Sequence, residues 1–101
     1  MENTKEVSIR FDGQDYKIVI KRMTLKERND VLRQAMTIRT VVGSDPIINM
    51  DPHTLKEVAI QKCIVSAPFK TDPDNLDFEF GDLIYAEIEK LNALTSEKKG
   101  N

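Results

Sequence analysis

The sequence predicts an α+β fold in which an N-terminal β-hairpin is followed by a three-helix, bundle-like core. Two observations lead to this prediction. Between residues 7 and 20, two stretches alternate apolar with polar side chains, as strands with one buried face do. Further along, apolar residues recur at helical spacing in three separate stretches. The 101 residues fit a single domain, 1–101, with an ordered core over about residues 5–94 and a polar tail over 95–101.

The turn of the hairpin is predicted from its glycine. Pairing Asp12 with Asp15 leaves Gly13-Gln14 as a two-residue loop, with Gly at the first central position as a type II′ turn prefers. In this register the apolar residues of both strands share one face, because they form the opposed pairs Phe11–Tyr16, Ile9–Ile18 and Val7–Ile20.

The first helix is predicted to start after Thr24, since Thr24 and Glu27 have the spacing of a capping box. The residues from 43 to 46 should end this helix, because Gly43 and Pro46 both oppose its continuation. Between these limits the apolar residues fall within one broad arc, which indicates packing on the hairpin and on other helices. They are Leu25, Val31, Leu32, Ala35, Met36, Ile38 and Val42.

Two further helices are predicted. Asp51-Pro52 has the form of an N-cap followed by proline at the first helical position. Apolar residues between Leu55 and Val65 run nearly all the way round this second helix, so it should be central and mostly buried, and Ala67-Pro68 should end it. The last helix should begin between Asp77 and Asp82, with Leu83, Ile84, Ile88, Leu91 and Leu94 on one side.

Charged residues also fall on the apolar sides of two helices. Arg28 and Arg39 project into the apolar arc of the first helix, and Glu87 lies on the apolar side of the last. We expect one of these arginines to pair with Glu87, because buried charges are stable only when paired. The pair would join residues 17–39, with seven basic and two acidic side chains, to residues 72–89, with seven acidic and no basic ones.

The composition indicates a protein of the cytoplasm. No apolar run approaches the roughly 18 to 20 residues that cross a bilayer, and residues 1–6 lack the apolar stretch of a secretory signal. Cys63 is the single cysteine and cannot form an internal disulfide. The net charge of −2, without a clear basic excess, argues against binding to nucleic acid.

Residues that could carry catalysis or bind metal are few. His53 is the single histidine, and no flanking motif pairs it with Cys63 as base and nucleophile. One His and one Cys cannot form a zinc site within one chain. Residues 72–83 begin like a calcium loop, but Asp77 stands where glycine is needed and Leu83 where a bidentate Glu belongs. With no glycine-rich phosphate loop either, the sequence predicts a protein that is not an enzyme and has no metal or cofactor.

Five segments stand in an order that is informative about the family. They are the hairpin Val7 to Ile20, the link Lys21-Arg22-Met23, the helix start Thr24-Leu25-Lys26-Glu27-Arg28, the stretch Gln61-Lys62-Cys63-Ile64-Val65, and the ending Phe80-Gly81-Asp82-Leu83-Ile84 with Ile88 and Leu91-Asn92. Over about residues 5–94 the chain thereby resembles the small tail-assembly chaperones of tailed bacteriophages and related baseplate-assembly proteins. The resemblance implies a non-enzymatic chaperone that holds the long, helical tape-measure protein until tail-tube subunits assemble around it. Such chaperones are often made together with a longer, frameshifted form.

The function that we expect is the binding of a protein partner, and the chain is also expected to be able to form homo-oligomers. Alternatives are a minor structural component of the tail or baseplate and a small regulatory protein; no membrane partner is expected. The acidic segment offers apolar anchors in a negative field to an amphipathic partner that carries Lys or Arg. The predicted partner-binding residues are Phe69, Asp72, Asp74, Leu76, Asp77, Phe78 and Phe80. The open outer edges of the hairpin are the alternative binding surface.

Overall fold

The structure of the chain, a computed structural model, describes residues 3–39, 42–43, 45 and 47–94. The elements follow in the order β1 (Thr4–Phe11), β2 (Gln14–Lys21), α1 (Leu25–Ala35), β3 (Met36–Arg39), β4 (Ile47–Met50), α2 (Pro52–Cys63), β5 (Ile64–Ser66) and α3 (Phe78–Asn92). One antiparallel sheet has the order β1-β2-β5, and β3 pairs with β4 in a second sheet. The predicted mixture of strands and helices is confirmed. Residues 95–101, the predicted polar tail, lie outside the described residues, as do Ser44 and Pro46.

The hairpin forms, but its predicted register is wrong. Phe11 pairs with Gln14, so the loop is Asp12-Gly13 instead of Gly13-Gln14. Asp12 and Gly13 have φ values of 52° and 79°, as a type I′ turn requires at both central positions, and Asp tolerates this conformation better than most residues. The shift is of two residues, which keeps every side chain on its predicted face. The pairs become Ile9–Tyr16, Val7–Ile18 and Lys5–Ile20.

The first helix begins as predicted and ends earlier than predicted. The Thr24 hydroxyl accepts a hydrogen bond from the Glu27 N–H at 3.2 Å, and the Glu27 carboxylate accepts one from the Thr24 N–H at 3.0 Å. Helix α1 stops at Ala35, and the next four residues form β3. Residues 37–42 contain five β-branched side chains, which favour strands over helices. The predicted extension of the helix to Val42, which is exposed, is therefore wrong.

Helix α2 has the predicted start, and its last predicted turn is a strand. Asp51 caps it by accepting a hydrogen bond from the His53 N–H at 2.9 Å. The helix packs against both α1 and α3, but only four of its twelve residues are buried, Leu55, Ala59, Ile60 and Cys63, so the prediction of a mostly buried helix is wrong. Ile64 and Val65 were expected to continue the helix, but they belong to β5 beside β2. Two successive β-branched residues fit this short strand, and the exposure of Val65 reflects its place in β5.

Helix α3 closes the core over the sheet. It begins at Phe78, within the predicted interval, and its Ile84 and Ile88 are fully buried, whereas Leu83 is exposed. The helix packs against α2, β1 and β2. The core that results draws on both strands of the hairpin and on all three helices: Val7, Ile9, Ile18, Ile20, Val31, Ala35, Leu55, Ala59, Ile60, Cys63, Phe80, Ile84, Ile88 and Leu94.

The predicted ion pair between α1 and Glu87 is not formed by Arg28. Glu87 instead pairs with Lys90, one turn further along α3, at 3.1 Å. Arg28 donates a hydrogen bond to the carbonyl oxygen of Ala93 at 3.5 Å. Arg39 lies in β3 and not in the helix, and its side chain is outside the described part of the chain. Glu87 pairs with Lys90 because side chains three residues apart on one helix are neighbours, so the pair forms without burying either charge.

Candidate groove between two helices

A groove of about 430 Å³ lies between α2 and the segment that leads into α3. Ile60 on α2 faces Pro73, Leu76 and Phe78 on the opposite side, and these four side chains give the groove its apolar surface. Polar groups surround them: His53, Lys56, Glu57, Gln61, Thr71, Asp77 and Asp82. The groove therefore combines an apolar interior with a polar rim, as binding sites commonly do.

Local hydrogen bonds hold the segment that faces α2. The N–H groups of Asn75 and Leu76 donate to the carbonyl oxygen of Asp72 at 3.1 and 3.0 Å, which forms a turn. The Gln61 amide of α2 donates to the carbonyl oxygen of Thr71, at the start of that turn. The turn thus has a fixed place relative to α2, and one wall of the groove is set by backbone hydrogen bonds.

The first turn of α3 completes the groove. The Asp77 carboxylate accepts hydrogen bonds from the N–H groups of Glu79 at 2.9 Å and Phe80 at 3.2 Å, so it serves as the N-cap. The cap thereby fixes where α3 starts, and Gly81 in its first turn lies next to the apolar side chains of Leu76 and Ile60.

Phe78 and Phe80 occupy opposite environments although they are only two residues apart. Phe78, the first residue of α3, is 76% exposed, whereas Phe80 is 6% exposed. The Phe80 ring packs against Phe11 and Phe69 with centroid distances of 4.7 Å each, and against Tyr16 at 5.0 Å. Of the three aromatic residues predicted to bind a partner, Phe69 and Phe80 therefore contribute to the core, and Phe78 is the one presented to solvent.

The predicted acidic residues are also divided. Asp77 lines the groove, as does Leu76, whereas Asp72 and Asp74 are outside its lining. Asp72 is half-buried, and its carboxylate accepts a hydrogen bond from the Asn75 amide at 2.6 Å. Asp74 is exposed on the surface of the loop. The structure thus brings together Leu76, Asp77 and Phe78 from the predicted set.

Sequence reasoning missed the α2 wall of the groove. His53, Lys56, Glu57 and Ile60 follow the spacing of one helical face, with intervals of three, one and three residues. His53, Lys56 and Glu57 are polar, and three polar residues on one face of α2 are the signal that could have predicted a solvent-facing side of this helix. Lys56 forms an ion pair with Asp82 of α3, which joins the two walls at the rim.

Two ionisable groups of α2 and its N-cap have shifted pKa values. Burial raises the pKa of the Cys63 thiol to about 11, which keeps it protonated at neutral pH. Hydrogen bonds from the Thr54 hydroxyl and the His53 N–H lower the pKa of Asp51, so this carboxylate is an acceptor at the helix cap. Among the described residues, no group of three His, Cys, Asp or Glu side chains is arranged to hold a metal ion.

The comparison with known proteins found no matching family model, no matching curated protein and no matching solved structure. Within the part of the chain that the structure describes, no helix has the length and apolar character to span a membrane.

Proposed function

We propose that this chain is a non-enzymatic protein-binding module whose groove holds an amphipathic segment of its partner. The single observation that carries the proposal is the exposed Phe78 ring, which lines the groove together with the apolar side chains of Ile60, Pro73 and Leu76. The Phe78 side chain is 76% exposed, so most of it is available to a partner. Aromatic side chains of this kind are frequent anchors in protein interfaces.

The energy available from this anchor supports specific binding. Burial of a large apolar side chain stabilises a complex by roughly 1.5 to 3 kcal/mol, which corresponds to roughly 10-fold to 150-fold in affinity. Contacts of the partner with Leu76 and Pro73 would add to this. A groove lined by apolar side chains along helices is also the surface that amphipathic helices use in other complexes.

The charges at the rim favour a basic partner. Glu57, Asp77 and Asp82 line the groove, and Lys56 is engaged with Asp82. A partner segment with apolar side chains on one face and Lys or Arg at its margin would complement both features. Charge complementarity of this kind mainly accelerates association and selects among partners.

The particular function that we propose is that of a tail-assembly chaperone which holds the tape-measure protein of a tailed bacteriophage. The resemblance in the order of sequence elements supports it, and so do the apolar side chains that line the groove, which can receive the apolar face of a helical partner. Helical proteins with unpaired apolar faces associate with one another unless those faces are covered. Covering them in successive segments would keep the tape-measure protein soluble until the tail tube assembles.

Co-expression tests the proposal, with Phe78→Ala as the variant and Leu25→Ala as its control. Leu25 is matched to Phe78, because each is the first residue of its helix after the cap and they are 75% and 76% exposed. We expect the wild-type chain and Leu25→Ala to keep the tape-measure protein of the same gene cluster soluble and bound. We expect Phe78→Ala to lose at least about 10-fold in affinity. Equal retention by both variants would exclude the groove.

A minor structural component of the tail would behave differently in purified particles. A chaperone is released during assembly, so mass spectrometry should find it in infected-cell extracts and not in finished tails. Stoichiometric recovery of the chain from finished tails would replace the chaperone proposal by the structural one.

A further inference from the structure

Strand β1 lies at an edge of its sheet. In the sheet order β1-β2-β5, β1 pairs with β2 on one side, and among the described residues no strand lies on the other. An open edge of eight residues presents unpaired N–H and C=O groups that another strand can bind. The opposite edge of the sheet is β5, which has only three residues and offers far fewer such groups.

The register of the hairpin determines which residues of β1 face the open edge. In antiparallel pairs, hydrogen-bonded and non-hydrogen-bonded positions alternate along the strand. The Arg22 N–H donates to the Asn3 carbonyl at 2.6 Å, and Phe11 and Gln14 close the two-residue turn. Odd-numbered residues of β1 therefore bond to β2. The N–H and C=O groups of the even-numbered residues, which include Glu6, Ser8 and Arg10, point to the open edge.

We propose that two copies of this chain pair along β1, antiparallel to each other, with Ser8 of one copy opposite Ser8 of the other. In this register Glu6 of each copy lies opposite Arg10 of its partner, so the two-fold axis generates two identical ion pairs. All three positions are hydrogen-bonding positions of the open edge. The paired hairpins form one continuous six-stranded antiparallel sheet with the helices of both copies on the same face.

Alternative registers of the same edge are less favourable. Only shifts by a multiple of two residues keep the edge groups opposite each other. One shift places Glu6 opposite Glu6, another places Arg10 opposite Arg10, and like charges directly opposite one another are destabilising. The remaining shifts pair Glu6 or Arg10 with an uncharged residue or with none. The Ser8-centred register is the one in which both charges find an opposite charge, which is the reason for choosing a second copy as the occupant.

The side chains at this edge are free to make the contacts. Glu6, Ser8 and Arg10 are exposed on the face away from the helices, and Val7 and Ile9 between them are buried on the core side. Arg10 makes an ion pair with Asp15 at 3.3 Å in which both side chains are largely exposed. The guanidinium has five N–H donors, so it can bind the partner's Glu6 while it keeps Asp15.

Charge reversal and its complementation test the proposal. Analytical ultracentrifugation of the full chain at low salt should show a monomer–dimer equilibrium. Either Glu6→Arg or Arg10→Glu alone places like charges at both pairs, and we expect the dimer dissociation constant to rise at least about tenfold. A mixture of the two variants restores opposite charges at both pairs, so it should form heterodimers with an affinity near that of the wild type.

Two further variants control for charge and for the backbone. Lys26→Glu changes the net charge as much as Arg10→Glu does, but Lys26 is an exposed residue of α1, outside the sheet, so it should leave the dimer largely intact. Ser8→Pro removes an N–H that points to the open edge, so it should weaken the dimer while melting curves confirm the folded monomer. A wild-type chain that stays monomeric at millimolar concentration would overturn the proposal. A dimer that neither Ser8→Pro nor the single reversals weaken would also overturn it.

Discussion

Asn92 links the end of α3 to the connection between β2 and α1, and its replacement tests the packing of the fold. The Asn92 side-chain oxygen accepts a hydrogen bond from the Met23 N–H at 2.8 Å. Its amide donates to the carbonyl oxygens of Lys21 at 3.3 Å and Ile88 at 3.1 Å. Two of these three partners, Lys21 and Met23, are about 70 residues away in the sequence, so one side chain satisfies two backbone groups on a distant segment.

The expected cost of Asn92→Ala follows from these bonds. Each of the two long-range hydrogen bonds contributes about 1 kcal/mol, and the half-buried Met23 N–H loses its acceptor, which adds to the cost. Ala has a higher helix propensity than Asn, which offsets about 0.5 kcal/mol of the lost free energy of unfolding. We expect the free energy of unfolding to fall by about 2 kcal/mol, and the midpoint of thermal unfolding by about 8 to 16 °C for a domain of this size.

Urea unfolding followed by circular dichroism measures this change. Asn75→Ala is the control, because Asn75 is exposed and its side chain makes one local hydrogen bond to Asp72. That variant should lose less than about 1 kcal/mol. If both variants lose the same free energy, the hydrogen bonds of Asn92 are not what holds the end of α3 to the sheet.

Three other predictions concern pH, the thiol and the groove. The hydrogen bond from Lys21 is the main cause that lowers the pKa of the Glu27 carboxyl group from 4.5 to about 2. The contribution of this carboxylate to the free energy of unfolding is therefore present above pH 4.5 and is lost as the pH falls towards 2. Glu27→Gln should remove this part of the acid dependence in urea titrations between those pH values, and an unchanged dependence would contradict it. Because Cys63 is buried with a raised pKa, a thiol reagent at pH 8 should modify it only as fast as the protein unfolds, and prompt reaction of the folded protein would refute this. The double variant Glu57→Gln and Asp77→Asn removes two charges from the groove and keeps the helix cap, because Asn is also a good N-cap residue. It should slow association with a basic partner several-fold at low salt but not near molar salt, where the Debye length is about 3 Å. Equal association rates of the variant and the wild type at low salt would show that the rim charges do not steer the partner.

The starts of the helices could be predicted from the sequence because local chemistry decides them. Thr24, Asp51 and the interval containing Asp77 each identified a helix start that the structure has. Caps act within one turn, so their signal is complete in a few residues. The shared face of the hairpin was predictable for a similar reason, since alternation survives a register shift of two residues.

The ends of α1 and α2 could not be predicted in the same way. In both, apolar residues continue after the helix, Met36 and Ile38 after α1 and Ile64 and Val65 after α2, and a periodic pattern does not show where a helix passes into a strand. Strands β3 and β5 were missed for this reason, and their pairing partners are separate segments of the chain. Of the residues predicted to bind a partner, Leu76, Asp77 and Phe78 line the groove together because they are contiguous in sequence. The α2 wall depends on how two helices pack, which the sequence pattern does not show.

Photo-cross-linking from position 78 tests directly whether the groove holds the partner. The photoreactive residue p-benzoylphenylalanine would replace Phe78 in one variant and Leu25 in another, and each would be irradiated with the co-expressed tape-measure protein. If the groove holds the partner, we expect a cross-linked product from position 78 that maps to amphipathic helical segments of the partner. We expect none from position 25, which is equally exposed. Cross-linking from position 25 with none from position 78 would contradict it.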